Sequence, residues 1–190
     1  MRLKKIHPTI KEQFCEQLYE EYIVKASEKL LKYEEYAETI HAKMPASCYT
    51  NFRDALFHFR RVVLSVEEKE IGRHAFAVEE HLSRSLTDAG NSLLIHLSRV
   101  AEELLKDDDF TADLKKSIRE SLHEIKKTNI RKRFSGMMIS DDNLSRVSHE
   151  EMQSLIDCFY DLLNRECPDK FAEYSIMLCK GYEEKVKEEA

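Results

Sequence analysis

Apolar residues recur at three- and four-residue intervals along almost the whole chain, and that period predicts helices. Ile10, Phe14, Leu18, Tyr22 and Leu30 mark a first long helix from just after Pro8, with Thr9 as its cap, to about His41. Pro45 ends that element, because proline cannot continue a helix and restrains the residue before it. Thr50 is placed to cap a second helix, whose apolar stripe is Phe52, Leu56, Phe59, Val63 and Val66. A turn is expected near residues 65–72, where Ser65 stands three positions before Glu68 in a capping-box pattern. The third helix carries the longest stripe, Ile71, Ala75, Val78, Leu82, Leu86, Ala89, Leu93, Leu97, Val100 and Leu104, and stops at Asp107–Asp109. A fourth helix covers about 110–131, capped by Thr111 or Asp109, and a loop follows at 134–143. Ser148 and Glu151 open another helix to about Arg165, and Pro168 separates it from a final amphipathic segment. The pattern predicts an all-α fold, an antiparallel bundle of about six helices with a long third one. The second and third helices would form a hairpin at about 49–106, unless they merge into one helix.

Composition supports this and narrows the partners. A chain of 190 residues is expected to form a single domain, 1–190, with a core of its own. Four glycines and three prolines are too few for the frequent turns of a sandwich or barrel. A net charge of −6 excludes a general polyanion binder and confines any nucleic-acid contact to a local basic patch. No apolar run reaches membrane-spanning length, so no membrane partner is expected. The basic start, MRLKKIHPTIKEQF, lacks the apolar core of a secretory signal. Five cysteines without a CxxC pair predict buried free thiols, and a cytoplasmic location, rather than disulfides or a zinc site. Neither a metal nor a cofactor is expected.

The candidate chemistry lies in NFRDALFHFRR, residues 51–61. Five helical steps place Arg53 and His58 about 140° apart, both flanking the apolar stripe. Asp54 is one turn before His58, where a carboxylate can orient an imidazole and raise its basicity. Arg60 and Arg61 add positive charge to the same helix. On the third helix, His81, Arg84 and Asp88 share one face. With a turn near 67–70, His58 and His81 stand nearly level in an antiparallel hairpin. Arg53, Asp54 and His58 are therefore expected to meet His81, Arg84 and Asp88 in one polar cluster. Beside a scissile phosphate, a histidine can move protons while arginines stabilise developing charge. The competing reading is a register device, in which the same polar pairs only hold two helices in step.

The segment Arg53-Asp54-Ala55-Leu56-Phe57-His58 resembles the R-x4-6-H motif of HEPN domains. Those are small all-α bundles that often dimerise, and their active members are metal-independent ribonucleases of toxin–antitoxin, abortive-infection and CRISPR systems. The resemblance implies that His58 transfers protons, Arg53 stabilises the transition state and Asp54 supports them. It also implies a homodimer that brings two motifs together, and RNA as substrate or ligand. The motif departs from the usual family pattern in having aspartate, not asparagine, after the arginine, and more than one hundred residues behind it. The alternative is a non-catalytic helical module for oligomerisation or for binding a partner protein.

Two weaker signals remain. Lys126, Lys127, Arg131, Lys132 and Arg133 could contact a nucleic-acid backbone, although cations also suit a helix C-terminus. Glu38–His41 and Glu120–His123 have Glu-x-x-His spacing, but the further glutamate-bearing helix of a diiron bundle is missing. Phosphate-binding glycine loops, GxSxG and HExxH are absent from the sequence.

Overall fold

The computed structural model describes residues 5–127 and 149–188, with side chains described for 5–125 and 149–180. The described residues form six helical runs and no strand, so the fold is all-α. The first run is α1 (Pro8–Leu18), a π-helical segment (Tyr19–Val24) and α2 (Lys25–Thr39). It is followed by α3 (Ala46–Leu64), α4 (Glu68–Leu104), α5 (Ala112–Lys127), α6 (His149–Glu166) and α7 (Pro168–Glu188). The expected loop at 134–143 and the residues Arg131, Lys132 and Arg133 lie outside the described residues. Lys126 and Lys127 end α5, with their side chains outside them.

Two compact units divide these elements. The first holds the residues up to Glu35 and Met44–Ala89, and the second holds Tyr36–Lys43 and the chain from Gly90 on. In the second unit Leu93, Leu97, Val100, Leu104, Ile118, Ile156, Phe159 and Leu163 make a fully buried core. Polar ties fix its margins. The Tyr36 hydroxyl donates to Asp157 at 2.7 Å, and Lys170 and Tyr174 both approach the Asp107 carboxylate at 3.3 Å.

In the first unit, the π-helical segment resets the phase of the opening helix. A wider turn adds one residue, so Ile23, five positions after Leu18, takes the inward place expected for Tyr22. The buried line then runs Leu18, Ile23, Ala26, Leu30 and Tyr33, while Ile10 and Tyr22 face outward. Helix caps also differ from the expected ones. Pro8 is the first helical residue of α1 and His7 its cap, because the missing proline N–H is no loss there. Pro45, not Thr50, precedes α3. Ser65 is the C-cap of α3, and the turn at 65–67 is held by Lys5–Glu67 bridging and an Ile6 N–H bond to the Val66 carbonyl. Thr111 caps α5 as expected, accepting the Leu114 N–H at 3.3 Å.

All ten residues of the stripe expected on α4 are buried. The stripe expected on α3 is not. Cys48, Ala55 and Val62 are the buried residues of α3, whereas Leu56, Val63 and Val66 are exposed and Phe52 and Phe59 half-exposed. The cysteines also depart from expectation: only Cys48 and Cys167 are buried, each thiol pushed up to about 11 by burial, and Cys158 is exposed.

At the end of α2 the Ala42 N–H bonds the Ala37 carbonyl at 2.8 Å and the His41 N–H bonds Glu38 at 3.3 Å, a Schellman closure. It puts His41 at φ 51°, so Glu38 and His41 do not form the helical Glu-x-x-His pair. Glycine takes that conformation without a Cβ clash, and His41→Gly should raise unfolding free energy by about 0.5–1 kcal/mol in urea titration. The same measurement checks the rotation of α3. Val62→Ala should cost about 2 kcal/mol, because Val62 is 0% exposed, while Leu56→Ser, at 42% exposure, should change the stability of the isolated chain, at protein concentrations too low for association, by less than about 0.5 kcal/mol.

Candidate functional site

The α3–α4 hairpin forms, and its register brings His58 beside His81 as the sequence spacing requires. Their rings stack at 5.3 Å between centroids with 16° between planes. A third imidazole completes the group. His74 lies 5.1 Å from His58 ring to ring, and the two Nδ1 atoms are 2.9 Å apart. His74 is absent from the expected site residues, yet its spacing could have revealed it. It precedes His81 by two helical turns and therefore lies on the same face of α4.

A polar seam continues from the imidazoles toward the start of α3. His81 Nδ1 is 3.3 Å from Asn51 Oδ1, and Asn51 Nδ2 donates to Asp88 Oδ2 at 3.4 Å. Ser85 donates to the Cys48 carbonyl at 2.7 Å. Thus α4 presents His74, His81, Ser85 and Asp88 along one line, and α3 answers with His58, Asn51 and a backbone oxygen. Buried polar groups need such partners, since an unpaired one costs about 1–3 kcal/mol.

Arg73, which can only donate, lies 3.4 Å from His74 Nε2, and the Glu70 carboxylate, which can only accept, lies 3.7 Å from the same nitrogen. Across the 2.9 Å contact between the two Nδ1 atoms, one neutral ring donates and the other accepts. Burial foremost, then the neighbouring His74 and His81, hold the His58 pKa below its ordinary 6.5, and Arg73 adds to this. Asp54 pulls the other way but does not outweigh them.

The remaining expected residues are elsewhere. Arg53 is turned to solvent, 74% exposed, and grips its own neighbour Asp54 through Nε at 3.2 Å and Nη2 at 3.0 Å. Asp54 is therefore spent on Arg53 and is no hydrogen-bonded orienter of His58. Arg84 pairs with Glu80 on an exposed face of α4, outside the cluster. Arg61 lies over the Phe57 ring at 5.1 Å, and Arg60 is exposed. Of the six residues expected to converge, His58, His81 and Asp88 meet along the seam, with Asn51 as intermediary. The two arginines do not join them, and Asp54 reaches His58 only as a nearby charge. Among the described residues no group of three or more histidine, cysteine or acidic side chains is placed to hold a metal. No described helix is long and apolar enough to cross a membrane.

The pH dependence follows from the lowered His58 pKa. The unfolded chain takes up the His58 proton near pH 6.5, before the folded chain does, so the stability this group contributes is present above 6.5 and is lost as pH falls toward its folded value. Unfolding free energy in urea should therefore fall more between pH 7.5 and 5.5 in the native chain than in His58→Asn. Equal losses in both would show that His58 does not sense the seam.

No protein-family model, curated protein or solved structure matches this chain.

Proposed function

We propose that this chain is a non-catalytic helical protein-interaction module whose docking face is the outer surface of α3. One observation carries this reading. The seam with α4 consumes the polar side of α3, leaving Tyr49, Leu56 and Val63 exposed at seven-residue spacing beside Arg53 and Arg60. Leu64 and Phe57, with Arg61 over its ring, extend that surface. Exposed tyrosine, phenylalanine and arginine on one helix match the composition of interface centres, and Leu56 and Val63 add apolar area. Asp54 is the one acidic residue between Ala46 and Leu64.

The second reading, a HEPN-like ribonuclease acting on RNA without metal, draws support from the histidine cluster. A neutral, partly buried imidazole stacked on another is suited to proton transfer. Against it stands the divergence of Arg53 from His58 within one chain. His58 Nδ1 is engaged with His74 Nδ1, so proton transfer at that nitrogen would come at the expense of this contact.

Two measurements separate these readings. The purified chain should leave a pool of structured RNAs intact in EDTA, and Arg53→Ala and His58→Ala should be equally inert. Metal-independent cutting abolished by either substitution would overturn the non-catalytic reading. A photo-crosslinker placed at position 56 in cells should give a discrete protein adduct that one placed at the exposed position 35 does not give. Equal background at both positions would remove α3 as a docking face.

A further inference from the structure

The surface beside α3 carries acidic groups where α3 carries basic ones, with Lys11 the one cation of α1. On α1, Glu12 and Glu16 are exposed one turn apart, and the exposed Tyr19 follows at the start of the π-helical segment. Across Ala46–Leu64 the exposed charges Arg53, Arg60 and Arg61 face only Asp54. The two strips adjoin within the first unit. Tyr19 packs on Phe59 with centroids 5.8 Å apart, and Lys11 donates its ammonium to the Val63 carbonyl. Moving up α1 from Lys11 to Tyr19 moves down α3 from Val63 to Phe59, so the helices run antiparallel. Each strip also carries uncovered apolar area: Val63 at 43% and Leu56 at 42% on α3, Tyr19 at 45% beside α1.

Resting on the reading of α3 as a docking face, we infer that its partner is a second copy of this chain, bound through α1 and α3 together. A twofold axis parallel to the two helices and between them maps each strip onto the other. The basic strip of one copy then meets the acidic strip of its partner twice over, as an isologous interface requires. Such an axis preserves position along the helices. Phe59 marks the level of Tyr19, so Arg60 of one copy lies opposite the Glu16–Tyr19 turn of the other, and Leu56 and Val63 close against Tyr19. Complementary charge fixes the register and rejects the alternative in which α3 packs on α3, which would bring Arg53, Arg60 and Arg61 of both copies together. Apolar area supplies the affinity.

Charge exchange tests this directly, because one chain carries both halves of the contact. Light scattering of the full chain at about 50 μM should give twice the 22.4 kDa chain mass. Arg60→Glu puts a carboxylate opposite Glu16, and Glu16→Arg puts a guanidinium opposite Arg60. Each should weaken the homodimer at least about tenfold, since each change acts at two symmetric contacts, with helicity unchanged by circular dichroism. An equimolar mixture of the two single variants should pair where neither does alone. In that heterodimer one contact sets the introduced carboxylate at position 60 against the introduced guanidinium at position 16. The other keeps the native Glu16 of the first variant against the native Arg60 of the second, so both contacts attract. The double variant Arg60→Glu/Glu16→Arg should also dimerise.

A monomeric native chain, or single variants as tightly dimeric as the native one, would overturn the self-pairing. Failure of both the mixture and the double variant to restore it would do the same. The crosslink from position 56 distinguishes the two levels. A monomeric chain that still gives an adduct with another protein loses the self-pairing and keeps the docking face, whereas a monomer without an adduct loses both.

Discussion

The polar seam between α3 and α4 is the constraint on which the first unit depends. Helix α4 carries His74, His81, Ser85 and Asp88 along a line beside its apolar stripe, and these groups need partners wherever another helix covers them. Asn51, His58 and the Cys48 carbonyl supply them. Matching these groups sets both the register of the hairpin and the rotation of α3 about its axis. Apolar contact alone would not have done so, because α3 has two faces able to pack: a narrow one of Cys48, Ala55 and Val62, and a bulky one of Phe52, Leu56, Phe59 and Val63. The seam lies on the side of the narrow face, and the narrow face is the one buried.

That rotation has a functional consequence. It spends the histidine on helix packing and sends the arginines outward with the bulky apolar residues. Arg53 and His58 consequently serve different surfaces of one helix, although six positions contain both. Lowered basicity at His58 then reads as the physical signature of a packed imidazole among other imidazoles, with burial as its largest cause. The π-helical segment acts similarly on the neighbouring element. By shifting the phase after Leu18 it turns Ile23 inward and leaves Tyr22 toward solvent, while the exposed Tyr19 packs on Phe59 of α3. Two local choices of helical phase thus create one continuous outer surface from α1 and α3.

The sequence by itself determined the helices and the hairpin. Scarce glycine and proline, and stripes at 3.6-residue spacing, require helices whatever they pack against, and the ten-residue stripe of α4 was legible because it is apolar on one face only. The level pairing of His58 with His81 was likewise legible, since antiparallel register follows from the turn by counting residues. Only the tertiary structure decided which face of α3 turns inward, that Asp54 serves Arg53, that His74 joins the cluster and that Arg84 leaves it. Periodicity gives the positions that share a face but not which of two apolar faces is covered, and that depends on the polar groups of another helix. The π-helical turn was hidden for a related reason. One extra residue shifts the period locally, and no residue type announces it. The single helix that spacing predicted from Pro8 onward is therefore present, but Ile10 and Tyr22, two of the five residues of its expected inward stripe, face out.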